Sequence, residues 1–343
     1  MSAPHEGKQE AQPAAPRRRA LGAEGLQVPA LGLGCMGMSA LYGLADQREA
    51  TATIHRALEL GVTLLDTADA YGPFRNEQLI GAAIAGRQGQ VTVATKLGYE
   101  IDRSGAFTGR INGTPGYVRA CVEGSLRRLG VEALDLCYLH RVDPDTPVEE
   151  TFGALGELVT RGMVRYLGIS EAAPATIRRA HATHPLTAVQ TEYSLLARQV
   201  EDNGVLATAR ELGIGFVAYA PLCRGLLSNR FSSVDELAED DFRRTDPRLG
   251  GENLAHNRAL VQCLGEIAAR RAVTTSQLSL AWLLHRGAVA IPGATQRRHL
   301  EENVSAAGIS LSPADLAAID AALPASAVAG ERYAPEYLDE TFR

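Results

Sequence analysis

The chain has 343 residues, of which 45% are hydrophobic and 22% are charged, close to the composition of an average globular domain. This balance excludes a disordered or collagen-like chain, and no run of about 18 apolar residues predicts a membrane-spanning helix. The net charge of −6, from 34 basic and 40 acidic side chains, lacks the basic excess typical of nucleic-acid binding. We therefore expect neither a nucleic acid nor a membrane as a partner.

Lysine is almost absent from the chain. Only Lys8 and Lys96 occur, so 32 of the 34 basic residues are arginine. Arginine does not replace lysine where a compact or titrating ammonium is needed, which makes Lys96 a candidate site residue. The alternative is that one lysine survived by chance in an arginine-preferring chain.

The five cysteines include no C-x-x-C pair, and a chain of this size does not need disulfides for stability. Both facts predict a reducing, cytoplasmic location. The cysteines are Cys35, Cys121, Cys137, Cys223 and Cys263.

Residues 1–18 are polar and rich in Pro, Ala and charge, which predicts a disordered tail. From there, short apolar runs alternate with amphipathic segments. Eight of the runs lack the alternating polar residues of a strand with one solvent-exposed face. Such continuous apolar runs are typical of strands that are buried on both faces. These candidate strands are Leu31–Leu33, Val62–Asp66, Val91–Thr95, Leu134–Leu139, Val164–Ile169, Leu186–Gln190, Ile214–Tyr219 and Val289–Ile291.

Helical patterns lie between these strands, with Thr114 before Pro115 as one predicted helix start and Gly130 and Gly213 as predicted helix ends. The patterns cover about 46–60, 76–86, 114–129, 148–161, 174–182, 203–212 and 297–307.

A strand–helix alternation repeated about eight times predicts a parallel sheet covered by helices, and eight units favour a closed (β/α)₈ barrel over an open sheet. We predict an α/β chain that forms one TIM-barrel domain over residues 19–322, followed by a C-terminal segment, 323–343. The long connections at 97–113 and 220–255 directly follow strands, so they are expected at the catalytic face.

A glycine-rich segment follows the first candidate strand. Gly32, Gly34 and Gly37 satisfy G-x-G-x-x-G, but loop sequence continues to Gly43, where a Rossmann motif would begin its helix. The segment predicts a turn where backbone approaches a ligand, with a Rossmann phosphate loop as the less favoured alternative.

Polar side chains stand at the ends of three successive candidate strands. Asp66, Lys96 and His140 occupy these ends, and Tyr71 follows Asp66 by five residues. Each has an ordinary structural interpretation when taken singly, but in a barrel the carboxyl ends of the strands meet at one mouth. The sequence therefore predicts that the four side chains form one site.

These four residue types suit one kind of chemistry. A phenol has a pKa near 10, and an ammonium held by a carboxylate lowers that pKa, while a neutral imidazole orients a carbonyl oxygen. Such a site protonates a carbonyl oxygen as hydride reaches the carbon, so it needs a hydride donor. No metal-ligand spacing is present, and no metal is expected. A Schiff-base aldolase using Lys96 stays open as an alternative.

The chain resembles the aldo-keto reductase superfamily over residues 19–322, and most of all the bacterial and plant branch of auxin-induced-protein-like and pyridoxal-reductase-like proteins. The motifs that carry the resemblance are Leu65–Gly72 (LDTADAYG), Ala94–Lys96 (ATK), Tyr138–Arg141 (YLHR), Gly168–Glu171 (GISE), Gln190, Tyr219–Leu222 (YAPL), Gly225–Leu227 (GLL), Ile291–Thr295 (IPGAT) and Glu301–Asn303 (EEN).

The resemblance implies a (β/α)₈ barrel that uses NADPH without a Rossmann domain and reversibly reduces a small aldehyde or ketone. It implies Tyr71 as the proton donor and Lys96 as the group that lowers its pKa. Asp66 would hold Lys96, and His140 would orient the substrate carbonyl.

The resemblance also implies the cofactor contacts. Ser170 and Gln190 would bind the nicotinamide amide, Tyr219 would stack on its ring, and the backbone from Leu222 to Gly225 would hold the pyrophosphate. Glu302 and Asn303 would hold the adenine end. The full implied set is Ser170, Glu171, Gln190, Tyr219, Pro221, Leu222, Cys223, Gly225, Leu227, Ile291, Gly293, Thr295, Arg297, His299, Glu302 and Asn303.

Two positions depart from the family pattern. Many relatives carry a basic residue where this chain has Thr295 or Gln296, and an arginine where it has His299. Arg297 and Arg298 remain as candidates for the 2′-phosphate, so NADPH is predicted, with NADH possible. Cys223 stands where related sequences often have glycine, and we expect an inert thiol there.

The sequence leaves three points open. It does not identify the carbonyl substrate, and it allows a monomer or a homo-oligomer. The C-terminal stretch Glu331–Pro335 either folds over the pocket or forms a subunit contact. The alternative function is a catalytically slow, cofactor-binding sensor or scaffold barrel. The presence of the whole catalytic tetrad, which is Asp66, Tyr71, Lys96 and His140, disfavours this alternative.

Overall fold

The computed structural model of the protein describes residues 13–39, 41–43, 45–229 and 232–343. The predicted disordered tail, residues 1–18, lies largely outside the described residues, and its last residue begins the first strand. The strands are β1 (Arg18–Leu21), β2 (Leu26–Pro29), β3 (Leu33–Gly34), β4 (Leu64–Asp66), β5 (Thr92–Leu97), β6 (Tyr99–Ile101), β7 (Phe107–Ile111), β8 (Leu134–Leu139), β9 (Val164–Ser170), β10 (Ala188–Glu192), β11 (Gly215–Tyr219) and β12 (Val289–Ala290).

Eight of these strands form one parallel sheet in the order β12, β11, β10, β9, β8, β5, β4, β3. The sheet curls until its edges meet, because parallel bridges join Leu31 to Ala290 and Gly34 to Gly293. The predicted closed (β/α)₈ barrel is therefore confirmed.

Helices cover the outside of the barrel, and none in the described part of the chain is both long and apolar enough to cross a membrane. The helices are α1 (Gln47–Glu59), α2 (Arg75–Ala83), α3 (Pro115–Leu129), α4 (Val148–Thr160), α5 (Pro174–Thr183), α6 (Val205–Glu211), α7 (Gly251–Arg270), α8 (Thr275–His285), α9 (Arg297–Ser305), α10 (Pro313–Ala322) and α11 (Pro335–Leu338). Gly130 ends α3 in the left-handed conformation, at φ 65°, as the sequence predicts.

The hairpin of β1 and β2 closes one end of the barrel. Its apolar side chains pack with the inward-facing side chains of the strands, among them Leu136 and Val217. The hairpin turn approaches so closely that a Cβ on Gly22 would lie 2.4 Å from the backbone oxygen of Thr187, just before β10. This end carries the amino termini of the strands, so the carboxyl ends form the other mouth.

The long connections take three forms at that mouth. Residues 97–113 contain the antiparallel hairpin of β6 and β7. The 220–255 connection folds into short 3₁₀ turns, with α7 beginning at Gly251 inside the predicted insertion. The C-terminal segment folds back, since the backbone amide of Phe342 donates to the Glu171 oxygen just after β9.

Candidate active site

The four predicted catalytic side chains meet at the carboxyl ends of the strands. Asp66 is the last residue of β4, Lys96 lies near the end of β5, and His140 directly follows β8. Tyr71 lies in the turn between β4 and α2, and its hydroxyl is 3.1 Å from the Lys96 ammonium.

Lys96 is 1% exposed, and its ammonium makes three hydrogen bonds. It donates to Asp66 Oδ1 at 2.5 Å, to the Thr67 carbonyl at 2.8 Å and to the Tyr71 hydroxyl at 3.1 Å. Burial lowers the pKa of Lys96, but the Asp66 carboxylate and the Tyr71 oxygen outweigh burial and raise it overall. Lys96 is therefore a permanent cation in contact with the phenol.

The pKa of Tyr71 differs from the sequence expectation. Burial raises it, Lys96 opposes this, and the net direction is upward because a phenolate loses more from desolvation than it gains from one ammonium. Tyr71 is thus a neutral phenol that can give up a proton, with a cation already beside the anion that would form.

His140 lies next to Tyr71, with 5.9 Å between the ring centroids. Burial, then Arg141 and Lys96, hold the pKa of His140 well below its ordinary value of 6.5, so the ring is neutral as predicted. Its Nδ1 atom is buried and has no hydrogen-bond partner in the described part of the chain.

Of the three predicted nicotinamide contacts, Ser170 and Tyr219 end β9 and β11 and Gln190 lies in the middle of β10. The side chains of Gln190 and Tyr219 form hydrogen bonds within the protein. The Gln190 amide donates to Asp66 Oδ2 at 2.8 Å, and the Tyr219 hydroxyl donates to Glu171 at 2.8 Å. Ser170 is buried, and its hydroxyl makes no hydrogen bond to a described residue. The Ser170 hydroxyl is therefore available to a ligand without loss of a hydrogen bond to a described residue.

The predicted pyrophosphate loop is a left-handed turn after β11. Cys223, Arg224 and Gly225 have positive φ angles of 47°, 52° and 101°. The Cys223 amide donates to the Ala220 carbonyl at 2.8 Å and the Gly225 amide to the Leu222 carbonyl at 3.0 Å, so these two N–H groups are used within the turn. Its role in holding a pyrophosphate stays a prediction. Burial raises the pKa of Cys223 to about 12, which agrees with an inert thiol. Pro221, Leu222 and Leu227 complete the turn as apolar residues.

Backbone approaches backbone closely where the barrel closes. A Cβ on Gly34 would lie 2.8 Å from the Ile291 carbonyl oxygen, so a side chain does not fit there. Gly293 and Thr295 follow Ile291 and lead into α9. The close approach at Gly34 therefore serves the closure of the barrel, and the approach of this turn to a ligand stays a prediction.

The predicted adenine and 2′-phosphate contacts lie on α9. Arg297 forms an ion pair with Glu49 of α1 at 3.1 Å, whereas Arg298 is exposed and donates to His299 at 3.2 Å. Glu302 accepts from Thr274 at 2.8 Å and therefore turns toward α8. The side chain of Asn303 is buried. Two guanidiniums at a helix N-terminus suit a phosphate, so this end of the barrel fits the outer part of a dinucleotide.

The structure also shows a buried ionic cluster that the sequence interpretation missed. Arg332 of the C-terminal segment binds Glu171 through two hydrogen bonds of 2.7 and 2.6 Å, so Glu171 is committed to the protein instead of facing a cofactor. A second part of the cluster fixes the loop after β11, where Arg224 pairs with Asp246 at 2.5 Å and with Glu192 at 3.2 Å. We define the ionic cluster as Glu171, Glu192, Arg224, Asp246, Arg248 and Arg332.

The C-terminal segment thereby lies across the mouth of the barrel. The Tyr333 hydroxyl is 2.7 Å from that of Tyr219, and Glu340 accepts from Tyr99 at 2.7 Å. The segment folds over the pocket, which is one of the two outcomes that the sequence left open.

Comparisons with known proteins identify the family of this chain. The model of the aldo/keto reductase family matches residues 30–324. A glycerol dehydrogenase from Gluconobacter oxydans is 28% identical, with a TM-score of 0.80, over 89% of this chain and 94% of the other. An aldo-keto reductase from Bacillus halodurans is 29% identical, with a TM-score of 0.73, over 90% and 97% of the chains.

A thermostable aldo-keto reductase solved with the inhibitor epalrestat is also 29% identical, with a TM-score of 0.72, over 89% of this chain and 99% of the other. The family match spans most of the chain and includes all four residues of the tetrad. The chain is therefore an oxidoreductase that belongs to the aldo/keto reductase family.

Proposed function

We propose that the protein reversibly reduces an aldehyde or ketone to an alcohol with NADPH, and that Tyr71 supplies the proton. One observation carries this proposal, namely the buried Lys96 ammonium that contacts both Asp66 and the Tyr71 hydroxyl. An arrangement of this kind stabilises a phenolate at the moment it forms.

Each residue then has a defined task. Bound nicotinamide supplies the hydride to the carbonyl carbon. Tyr71 donates its proton to the carbonyl oxygen, and the Lys96 ammonium stabilises the phenolate that remains. Neutral His140 orients the carbonyl oxygen beside the phenol, and Asp66 fixes Lys96 in place. In alcohol oxidation the same phenolate accepts the proton.

The residues on α9 favour NADPH over NADH. Arg297 and Arg298 stand at the N-terminus of α9, where the helix dipole also attracts an anion. A 2′-phosphate adds charge-assisted hydrogen bonds there that NADH does not make. We assign the 2′-phosphate to this pair of arginines.

The five cysteines are unpaired in the structure, in keeping with the proposed cytoplasmic location.

The test is a fluorescence titration with NADPH and, separately, with NADH, followed by turnover of a carbonyl panel. The panel includes glyceraldehyde and dihydroxyacetone, because one structural relative is a glycerol dehydrogenase. We expect tighter binding of NADPH than of NADH. Tyr71→Phe should lower kcat about 10²- to 10⁴-fold without changing NADPH affinity, because only the proton donor is removed.

The matched control is Tyr337→Phe, which removes a hydroxyl from a residue that is 40% exposed and should leave kcat unchanged. If neither cofactor binds, the proposed function is wrong. If NADPH binds but no carbonyl compound is reduced, the sensor or scaffold alternative is favoured instead.

A further inference from the structure

Arg141 differs from every other buried arginine in the described part of the chain. Arg224, Arg248 and Arg332 each have a carboxylate oxygen within 3.2 Å. Arg141 is 7% exposed, yet no carboxylate among the described residues lies within 4.0 Å of it. Buried charges are normally paired, so an unpaired one requires an explanation.

The hydrogen bonds of Arg141 leave one edge of the guanidinium unused. Nη1 donates to the His140 carbonyl at 2.8 Å. Nε is buried and donates to nothing in the described residues, and no hydrogen bond from Nη2 is present there either. The Nε–Nη2 edge is the one that binds a planar carboxylate through two parallel hydrogen bonds. Leaving a buried donor unsatisfied is costly, which favours a ligand as its partner.

The Arg141 guanidinium lies close to the side chains of the candidate active site. Arg141 directly follows His140, and its guanidinium carbon is 6.0 Å from the centroid of the Tyr99 ring. The Tyr99 ring is in turn 4.9 Å from the His140 ring. A carbonyl held by His140 therefore has Arg141 within the length of a small molecule.

The charge of Arg141 is permanent. Burial lowers its pKa, but the nearby oxygens of Tyr99, Tyr219, Tyr333 and Glu171 outweigh burial and raise it well above the ordinary arginine value. Glu171 is already bound to Arg332 by two hydrogen bonds and so does not serve as the ion-pair partner of Arg141.

We propose that Arg141 binds a carboxylate on the substrate, so that the enzyme reduces carbonyl compounds that carry an acid group. This inference rests on the proposed function and extends it to a substrate class. One unpaired guanidinium matches one carboxylate in charge and in geometry. Tyr99 and Tyr333, whose oxygens act on the charge of Arg141, are both half-buried.

The test compares two aldehydes that differ in charge and by one methyl group, para-carboxybenzaldehyde and its methyl ester. Arg141→Met should lower kcat/KM for the acid about 10- to 100-fold, mainly through KM, and leave the ester within about threefold. Arg141→Lys should keep part of the preference for the acid over the ester. An ammonium supplies the positive charge but not the two parallel N–H donors of a guanidinium. The control is Arg103→Met, which removes an exposed arginine from the hairpin of β6 and β7 at the same mouth.

A binding measurement gives a readout that does not depend on turnover. Calorimetric titration with para-(hydroxymethyl)benzoate and with its methyl ester should show that the wild-type protein prefers the acid and that Arg141→Met does not. If the wild-type protein binds the acid no better than the ester, the proposal is overturned, whether or not any aldehyde is reduced.

Two other outcomes would also overturn it. If Arg141→Met lowers kcat/KM equally for the acid and the ester, Arg141 acts only by positioning His140, through its hydrogen bond to the His140 carbonyl. A loss of NADPH affinity at unchanged aldehyde selectivity would assign the anion to the cofactor. Failure of the proposed function itself is recognised separately, because neither aldehyde would then be reduced by the wild-type protein.

Discussion

Asp69 shows how strongly the environment decides the behaviour of one carboxyl group. Asp66, three residues earlier, binds Lys96 directly. Asp69 is fully buried, and neither of its oxygens makes a hydrogen bond of normal geometry to any residue that the structure describes. The Cys121 thiol and the Ala70 amide lie near the Asp69 carboxylate but do not form hydrogen bonds of normal geometry with it. Burial, reinforced by Glu77, raises the pKa of Asp69 well above its ordinary value.

We therefore predict that Asp69→Asn stabilises the protein, and increasingly so as the pH rises. A carboxyl group whose folded pKa exceeds its unfolded pKa supports the fold below the unfolded pKa, near 3.9, and loses that support as the pH rises toward the folded pKa. The loss approaches about 1.4 kcal/mol for each pH unit in that window. The asparagine variant lacks this loss, because an amide does not ionise.

The measurement is urea unfolding of both proteins at pH 5, 7 and 9. Asp145→Asn, a change at an exposed aspartate, is the control and should show no such trend. A stability difference that stays constant between pH 5 and 9 would contradict a raised pKa for Asp69.

At the scale of elements, the N-terminus of α9 is held by α1. Glu49 accepts from the backbone amide of Arg297 at 3.1 Å and pairs with its guanidinium at 3.1 Å. The same amide and guanidinium are the groups proposed to attract the 2′-phosphate. Glu49 therefore competes with the cofactor for them.

Removing this competitor should strengthen NADPH binding. We expect Glu49→Gln to lower the Kd for NADPH by a few-fold at low salt, since exposed ion pairs contribute about 0.2–1 kcal/mol, and to leave the Kd for NADH unchanged. Glu59→Gln, on the same helix, is the control, because Glu59 pairs with Arg56 instead. Equal tightening of NADPH and NADH would show that Arg297 does not distinguish the 2′-phosphate.

The elements that the sequence predicts are those with a clear period or clear ends. The eight barrel strands are continuous apolar runs, and most of the covering helices have one apolar face. The sequence does not predict α7, α8 or α10. In α8, Leu278–Leu283 is buried on all sides and shows no helical period. Strands β1 and β2 are only four residues long and lie beside a polar tail.

The same reasoning explains which site residues are predictable. Asp66, Lys96 and His140 stand at strand ends, where the fold itself brings them together. Arg332 lies 161 residues from Glu171 along the chain, and nothing in its local sequence marks the contact. The family resemblance implies Glu171 as a cofactor residue, although its carboxylate binds Arg332.

At the scale of the whole molecule, the ionic cluster ties together parts of the chain that are far apart in sequence. Glu171 and Glu192 lie at the ends of β9 and β10, Arg224 belongs to the turn after β11, and Arg332 comes from the C-terminal segment. The charged side chains of the cluster are nearly all excluded from water. Each of them therefore needs its ion-pair partner to remain charged without a large desolvation cost. The cluster thus couples the pyrophosphate loop and the C-terminal segment to the barrel.

Arg332→Met should therefore cost about 3–5 kcal/mol of stability at neutral pH, because it leaves the Glu171 carboxylate buried without its cation. Burial raises the pKa of Glu171, and Arg332 reverses this to a net lowering. In the wild-type protein this lowering supports the fold above the unfolded pKa and is lost as the pH falls through the folded pKa. In the variant, burial without Arg332 raises the pKa of Glu171. Protonation of Glu171 at low pH therefore removes part of the destabilisation.

Urea unfolding at pH 7.5 and 5 should consequently show a smaller difference between wild type and Arg332→Met at the lower pH. The double variant Glu171→Gln with Arg332→Met should recover part of the loss, since the uncompensated charge is gone. Arg178→Met provides the control, because Arg178 pairs with Glu211 at an exposed site and should cost about 1 kcal/mol or less. If Arg332→Met costs no more than Arg178→Met and its cost does not change with pH, the ion pair of Arg332 with Glu171 does not hold the C-terminal segment in place.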